Sequence, residues 1–457
     1  MDESGTPANA LFALNNEGDR LALSEADRIY DAVVIGAGAG GMAAAARLNH
    51  YGYRTLLVEC RDEVGGRAST VDLEGFKINT GAIVIELGGD NGQAFDELGV
   101  DMGTRVARRP LVLKVGKRHV PLMSGPTGAV VKATLHAVGA IARRVPNMRP
   151  ERGVNASDWV AGLSRSPYLQ GVLRNLTTAV FAAEPTDVEA AVFFDYFTKK
   201  NALKTYAFHP NGTVGPWQAM AKHFEKTGGT LWLKSTVESF TFNRKGLVDG
   251  VIVRRDGQTF RVATSLVVSN AGPLATVSMC GDDHLPSGYP AEVRDWSNPS
   301  TLITVNFASR IPLTDVSGLV FFGPTRRLAY AANFTETCPE MAPPGWHLYL
   351  GASTPHPATG EFDRDAEVEL LLADLREHFP GFDDARILSV EITSGDWPGQ
   401  RAIAGRDLPQ TTPVANIWNV GDGVREWATG GQSACVESAR IVTDTIRKYY
   451  PATVLRL

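Results

Sequence analysis

Thirty residues, Tyr30 to Glu59, constrain the fold of this chain more than any other stretch. Asp31-Ala-Val-Val-Ile35 reads as a buried strand, Gly36-Ala37-Gly38-Ala39-Gly40-Gly41 as a glycine turn opening a helix, and Thr55 to Glu59 as a second strand. That order predicts the βαβ unit of a dinucleotide-binding fold. Gly36 permits a sharp exit from the strand, and Gly38 lets main-chain N–H groups approach a pyrophosphate with no Cβ in the way. Gly41 lets the helix pack closely on the sheet, and Ala39 and Gly40 begin the helix whose positive end faces the phosphates. Glu59 lies 23 residues after Gly36, close to the roughly 20 expected of a carboxylate that accepts hydrogen bonds from a ribose. An acid there disfavours a 2′-phosphate. A ligand-free glycine turn is the competing reading, and the joint occurrence of strand, glycines, helix, strand and acid argues against it.

At 457 residues the chain can build two or three cores. With 21% charged residues and a net charge of −5, no basic face advertises nucleic acid. Cys60, Cys280, Cys338 and Cys435 are far apart, without a CxxC pair. Neither a disulfide framework nor a metal site is expected, and a reducing cytoplasm fits best. The motifs HExxH, GxSxG and GxxxxGK[ST] are missing, so hydrolase and P-loop chemistries lack their first requirement. Met1 to Glu25 has no basic segment followed by an apolar one, which predicts no signal peptide. No run of about 18 apolar residues predicts a membrane span.

After Glu59 comes Cys60-Arg61-Asp-Glu-Val-Gly65-Gly66-Arg67-Ala-Ser-Thr70. This run resembles the signature of flavoproteins in the FAD-dependent amine oxidase and phytoene desaturase superfamily, closer to its phytoene desaturase-like (carotenoid dehydrogenase-like) branch. The resemblance implies FAD contacts at Cys60, Arg61, Gly65, Gly66 and Arg67. Adjacent glycines can bring N–H groups to a phosphate or flavin edge, and Arg67 adds a planar, permanent cation. In Phe76 to Ala82, Asn79 stands where relatives carry an aspartate, which weakens any role for that position. His209-Pro-Asn-Gly212 to Met220 resembles the segment that leads back into the FAD domain, and the position of Val237 lies against the adenine in relatives. Gly421-Asp422, then Gly430-Gly431-Gln432-Ser433, resembles the closing motif: Asp422 is expected on the ribitol, and the helix-start N–H groups of Gly431, Gln432 and Ser433 on the flavin pyrimidine. A helix N-terminus there would stabilise negative charge on reduced flavin. Two departures matter. Where amine oxidases carry a lysine holding a water at flavin N5, this chain has Leu302, and where they carry one aromatic-cage wall it has Gly431.

The expected fold is α/β: a discontinuous Rossmann-like FAD-binding domain with an inserted α+β substrate-binding domain. The boundaries read as an N-terminal arm at 1–26, FAD-binding segments at 27–101, 223–289 and 385–457, and substrate-domain segments at 102–222 and 290–384. Gly128 to Arg144, with Val130, Val131, Leu135, Val138 and Ile141 and a basic end at Arg143 and Arg144, reads as a cap helix facing a core; the alternative is a helix lying on a membrane surface. Ala191 to Trp217 is dense in aromatics, some of which should line a substrate pocket.

One dinucleotide fingerprint and no second one predict FAD as the redox group, without a nicotinamide domain. No cysteine lies between Glu391 and Gly405, so no covalent link is expected. The leading expectation is a dehydrogenase or desaturase that takes hydride from a C–H bond of a mostly apolar, isoprenoid-like small molecule, with oxygen or a quinone-like acceptor. Peripheral membrane contact stays open. His209, Asp396, Gln400 and Arg401 are the catalytic candidates, each of which also reads as a structural polar group. An amine oxidase and a redox-neutral FAD-dependent isomerase are the rivals.

Overall fold

The computed structural model describes residues 29–452 except 117, 123, 143, 146–148 and 199–204. The arm expected at 1–26 and Arg143 lie outside the described residues. Tyr30–Ile35, six buried residues in succession, forms the centre of a seven-stranded sheet, flanked by Thr55–Val58 and Gln258–Ser269, both parallel to it. Thr230–Trp232 extends the parallel array on one side and Ile417–Asn419 on the other. Continuous apolar runs are what a parallel strand covered on both faces requires. Gln258–Ser269 serves three partners: its first half pairs antiparallel with Val248–Arg255, its second half parallel with Tyr30–Ile35 on one side and Ile417–Asn419 on the other.

The helix Ala39–His50 lies between the closing helix Gly431–Tyr449 and the helix Gly215–Lys226. Ala43 to Ala46 are buried along it, and such small side chains allow helices to pack closely. Met42, Leu48, Phe95, Trp217, Phe224, Val436 and Ile446 fill the layer between helices and sheet.

A second seven-stranded sheet runs in the order Arg386–Thr393, Leu302–Ser309, His347–Ser353, Tyr330–Asn333, Leu319–Phe322, Leu111–Val115, Arg118–Pro121. Helix Arg364–His378 packs on it through Leu371 and Leu375, over Phe307 and Tyr349. One boundary moves. Arg386–Thr393, assigned from the sequence to the third FAD-binding segment, belongs to this sheet, paired with the Leu302 strand from Leu302↔Thr393 to Ala308↔Arg386. It supplies the second neighbour that the fully buried Leu302–Ser309 strand needs for its main-chain groups.

Helices Gly125–Ala142, Ala156–Leu163, Pro167–Phe181 and Ala190–Thr198 form the remaining layer. The first of them packs on Ala190–Thr198 and on the Arg118–Pro121 strand. Its apolar residues are only partly covered: Val130 is 64% and Ile141 49% exposed.

Candidate active site

A cavity of about 730 Å³ runs from the glycine turn to the second sheet. At its glycine-turn end Glu59 is buried, with Oε2 accepting the Ala37 N–H at 2.6 Å and Oε1 the Arg61 N–H at 2.9 Å. The carboxylate thus fixes the turn after the first strand to the turn after the second. A Cβ on Gly41 would lie 1.9 Å from the Gly36 carbonyl oxygen, the close helix-to-strand approach expected from the sequence. Glycines from distant parts of the chain converge here. A Cβ on Gly38 would lie 2.8 Å from Asn270 Nδ2, one on Gly66 2.9 Å from Gly38 Cα, and one on Gly40 3.2 Å from the Gly421 nitrogen. Side chains would fill this cradle, so bare main chain faces the cavity, as a pyrophosphate site requires. The residues present fit a dinucleotide.

Asp422, 5% exposed, joins the two ends of the chain. Arg67 Nη2 donates to its Oδ1, and the Arg401 main-chain N–H to Oδ2 at 2.9 Å. Arg67 also donates to the carbonyls of Pro398 at 3.2 Å and Gly399 at 3.3 Å. Burial alone would raise the Asp422 carboxyl; the charge and hydrogen bond of Arg67, with help from Arg401, outweigh it and hold the group well below the usual carboxylate range. Cys435 lines the cavity, and burial pushes its thiol up to about 12, which makes it a neutral wall rather than a nucleophile.

Of the residues singled out in the sequence, Gly36, Gly38, Ala39, Gly40, Glu59, Cys60, Arg61, Gly65, Gly66, Arg67, Val237, Gly421, Asp422, Gly431 and Gln432 line this one cavity. Arg61 also stacks over Trp397, 4.6 Å from the ring centroid. Gly41, expected among the cofactor contacts, does not line it, and neither does Ser433. Its N–H, expected on the flavin, donates at 2.8 Å to Glu86 Oε2. The Gln432 side chain is occupied too, accepting from Trp217 Nε1 at 2.9 Å and donating to the Val84 carbonyl at 2.9 Å.

The four catalytic candidates separate. His209 lies outside the cavity lining: its Nδ1 accepts the Asn211 N–H at 2.9 Å and its ring packs on Gly215 and Gly103, so it locks a turn. Burial, then the Arg105 charge, lowers its pKa. Asp396, Gln400 and Arg401 do line the cavity. The Gln400 amide oxygen accepts from Arg425, which also holds Asp407 at 2.7 Å, a structural role. Burial, then the neighbouring Arg67 charge, lowers the Arg401 pKa. Asn79 is structural as well, its oxygen accepting from Thr70 Oγ1 at 2.8 Å and the Thr213 N–H at 3.0 Å.

The far end of the cavity is walled by Val180, Leu302, Leu319, Phe321 and Tyr330. Tyr196 and Tyr206 share a hydroxyl–hydroxyl hydrogen bond there, and burial raises both pKa values. Glu86, buried among them, escaped sequence reasoning. Its signal was faint: one charge inside the apolar run Ile83-Val-Ile-Glu86-Leu87.

The model of the flavin containing amine oxidoreductase family matches residues 39–446, and the chain belongs to that family. That family is one of flavin-containing oxidoreductases, and FAD is the flavin that the fingerprints at both ends of this chain imply. The human all-trans-retinol 13,14-reductase is 26% identical over 290 residues, covering 53% of this chain and 47% of that protein. The neurosporene-forming phytoene desaturase of Rhodobacter capsulatus is 41% identical over 73 residues, 14% of each chain. The chain thus matches about half of the first relative's length and less of the second's. An oxidoreductase structure from Methanosarcina mazei has the same fold, with a TM-score of 0.77 at 22% identity over 90% of this chain and 99% of that one. Putrescine oxidase superposes with a TM-score of 0.66 at 16% identity, over 92% and 99% of the respective chains. No helix among the described residues is long and apolar enough to cross a membrane.

Proposed function

We propose that the parallel sheet is a Rossmann-like FAD-binding domain and that the protein is a dehydrogenase or desaturase acting on a C–H bond of a mostly apolar small molecule. The carrying observation is the far wall of the cavity: Leu302, at the position where the resemblance to amine oxidases implies a lysine, stands beside Leu319, Phe321 and Val180. Such a surface binds hydrocarbon by excluding water and offers no cation to hold a water there. The relatives named for retinol and phytoene, both isoprenoids, support the same substrate class. Bound FAD supplies the hydride acceptor. The chain's own part is to hold the cofactor through Glu59, Arg67 and Asp422, and to orient an apolar substrate on the Leu302 wall. Water or a base would take the second proton, and oxygen or a quinone-like acceptor would take the electrons. Anaerobic mixing with isoprenoid alcohols and polyenes is expected to bleach the yellow holoprotein stably. Hydrogen peroxide released from simple amines would favour the oxidase reading instead, and a flavin that returns oxidised without an acceptor would favour the isomerase.

Exposed Val130, Ile141 and Val145 support contact of the Gly125–Ala142 region with a membrane surface, from which such a substrate would enter. Sedimentation with anionic vesicles should carry down the wild type, and carry down a Val130→Ser, Ile141→Ser variant several-fold less. Equal partition of the two would remove this contact.

A further inference from the structure

We propose that the Glu86 carboxylate occupies the space in front of Gly431 and sets the reduction potential of the bound flavin low, by cancelling the positive end of the closing helix. The inference rests on the FAD site proposed above, which puts the flavin pyrimidine at the start of Gly431–Tyr449. Glu86 belongs to the short strand Ile85–Leu87, is 6% exposed and lines the cavity beside Gly431 and Gln432. Its Oε2 accepts the Ser433 N–H at 2.8 Å, inside the first turn of a 19-residue helix. A Cβ built on Gly431 would lie 2.5 Å from Glu86 Oε1 and 3.0 Å from its carboxyl carbon. The carboxylate therefore stands directly against Gly431, and a side chain there would have to displace it. The same charge reaches along the cavity, since it helps to raise the Tyr196 and Tyr206 hydroxyls, after the larger effect of burial.

The consequence is electrostatic. The helix carries no acidic residue in its first turn and no side-chain cap of its own. Left alone, its N-terminus would present about half a positive charge, and reduced flavin, with negative charge at the pyrimidine, would be stabilised by it. A carboxylate charge on one of those N–H groups reverses the sign of the local field, and the burial of Glu86 limits its screening by solvent. Arg67 does not restore the balance because Asp422 already pairs with it. Glu86 thereby makes the oxidised cofactor harder to reduce and the reduced one a stronger donor to an acceptor.

Glu86→Gln separates this role from simple capping, because the glutamine oxygen can still accept the Ser433 N–H while the charge is gone. Anaerobic redox titration of the FAD-loaded variant is expected to show the reduction equilibrium shifted toward reduced flavin by at least about tenfold, which is about 30 mV for a two-electron couple. Identical potentials in wild type and variant would leave Glu86 as a cap and overturn the proposal. Should the variant fail to hold FAD, wild-type protein with sulfite decides: the adduct at flavin N5 places negative charge on the same pyrimidine, so wild type should stay yellow at millimolar sulfite. Bleaching there overturns the proposal. A wild-type protein that takes up no FAD would instead sink the site itself.

Discussion

Protein carrying Gly41→Ala should emerge colourless. The added methyl would sit 1.9 Å from the Gly36 carbonyl oxygen and 3.0 Å from Asn270 Cβ, and the first of these is main chain that cannot rotate away. Relief would require the Ala39–His50 helix to lift off the sheet. That helix is wedged by buried Ala43 to Ala46 and by the closing helix, so lifting it separates two faces of one core. Overpacking that side chains can absorb costs about 1–3 kcal/mol, and here the clash is with backbone, so a loss above about 3 kcal/mol is expected. The same shift would move the main-chain groups of Gly38 and Gly40 out of the cradle proposed to hold the phosphates. Visible absorbance per polypeptide and thermal unfolding with added FAD report both effects. Gly92→Ala is the matched control: a helical glycine with nothing within 4 Å of the built Cβ, where alanine should be neutral or stabilising by about 0.5–1 kcal/mol. If Gly41→Ala bound one FAD and melted like the control, the close-packing role of this glycine would be wrong.

That prediction was legible in the sequence because the chemistry is local: glycines at fixed spacing between a strand and a helix carry their own geometry. The closing Gly421-Asp422 motif was legible for the same reason. Sheet membership was not, since Arg386–Thr393 lies next in sequence to the Gly395-to-Arg401 segment bordering the cavity, yet pairs with Leu302–Ser309. Which of two sheets an edge strand joins depends on which neighbour lacks a partner, and no local pattern encodes that. His209 misled in the opposite way. A histidine beside a family motif invites a chemical role, whereas its ring fills the space over Gly215 and caps a turn. Glu86 was silent because its meaning comes from Ser433, 347 residues away.

Asp422→Asn is expected to cost about 3 kcal/mol of stability and most FAD affinity. Removing one partner of a buried ion pair strands the other charge, with losses of about 3–5 kcal/mol when both are fully buried. Arg67 keeps about a fifth of its side-chain surface and its bonds to the Pro398 and Gly399 carbonyls, which places the variant at the lower end. The amide cannot both accept from Arg67 and take the Arg401 N–H with charge, so the two ends of the chain that meet at Asp422 loosen together. Acid gives a second, independent readout. The folded Asp422 carboxyl is held below its ordinary value, so its contribution is fully present above the unfolded pKa near 4 and is lost as pH falls toward the folded one. Denaturant unfolding of wild type and Asp422→Asn should therefore show a constant gap between about pH 7 and 5 that narrows below about 4. A gap that stayed constant to the lowest pH at which both proteins fold would mean that the Asp422 charge does not hold the two ends together, and that the Arg67 contact stabilises the site by packing alone.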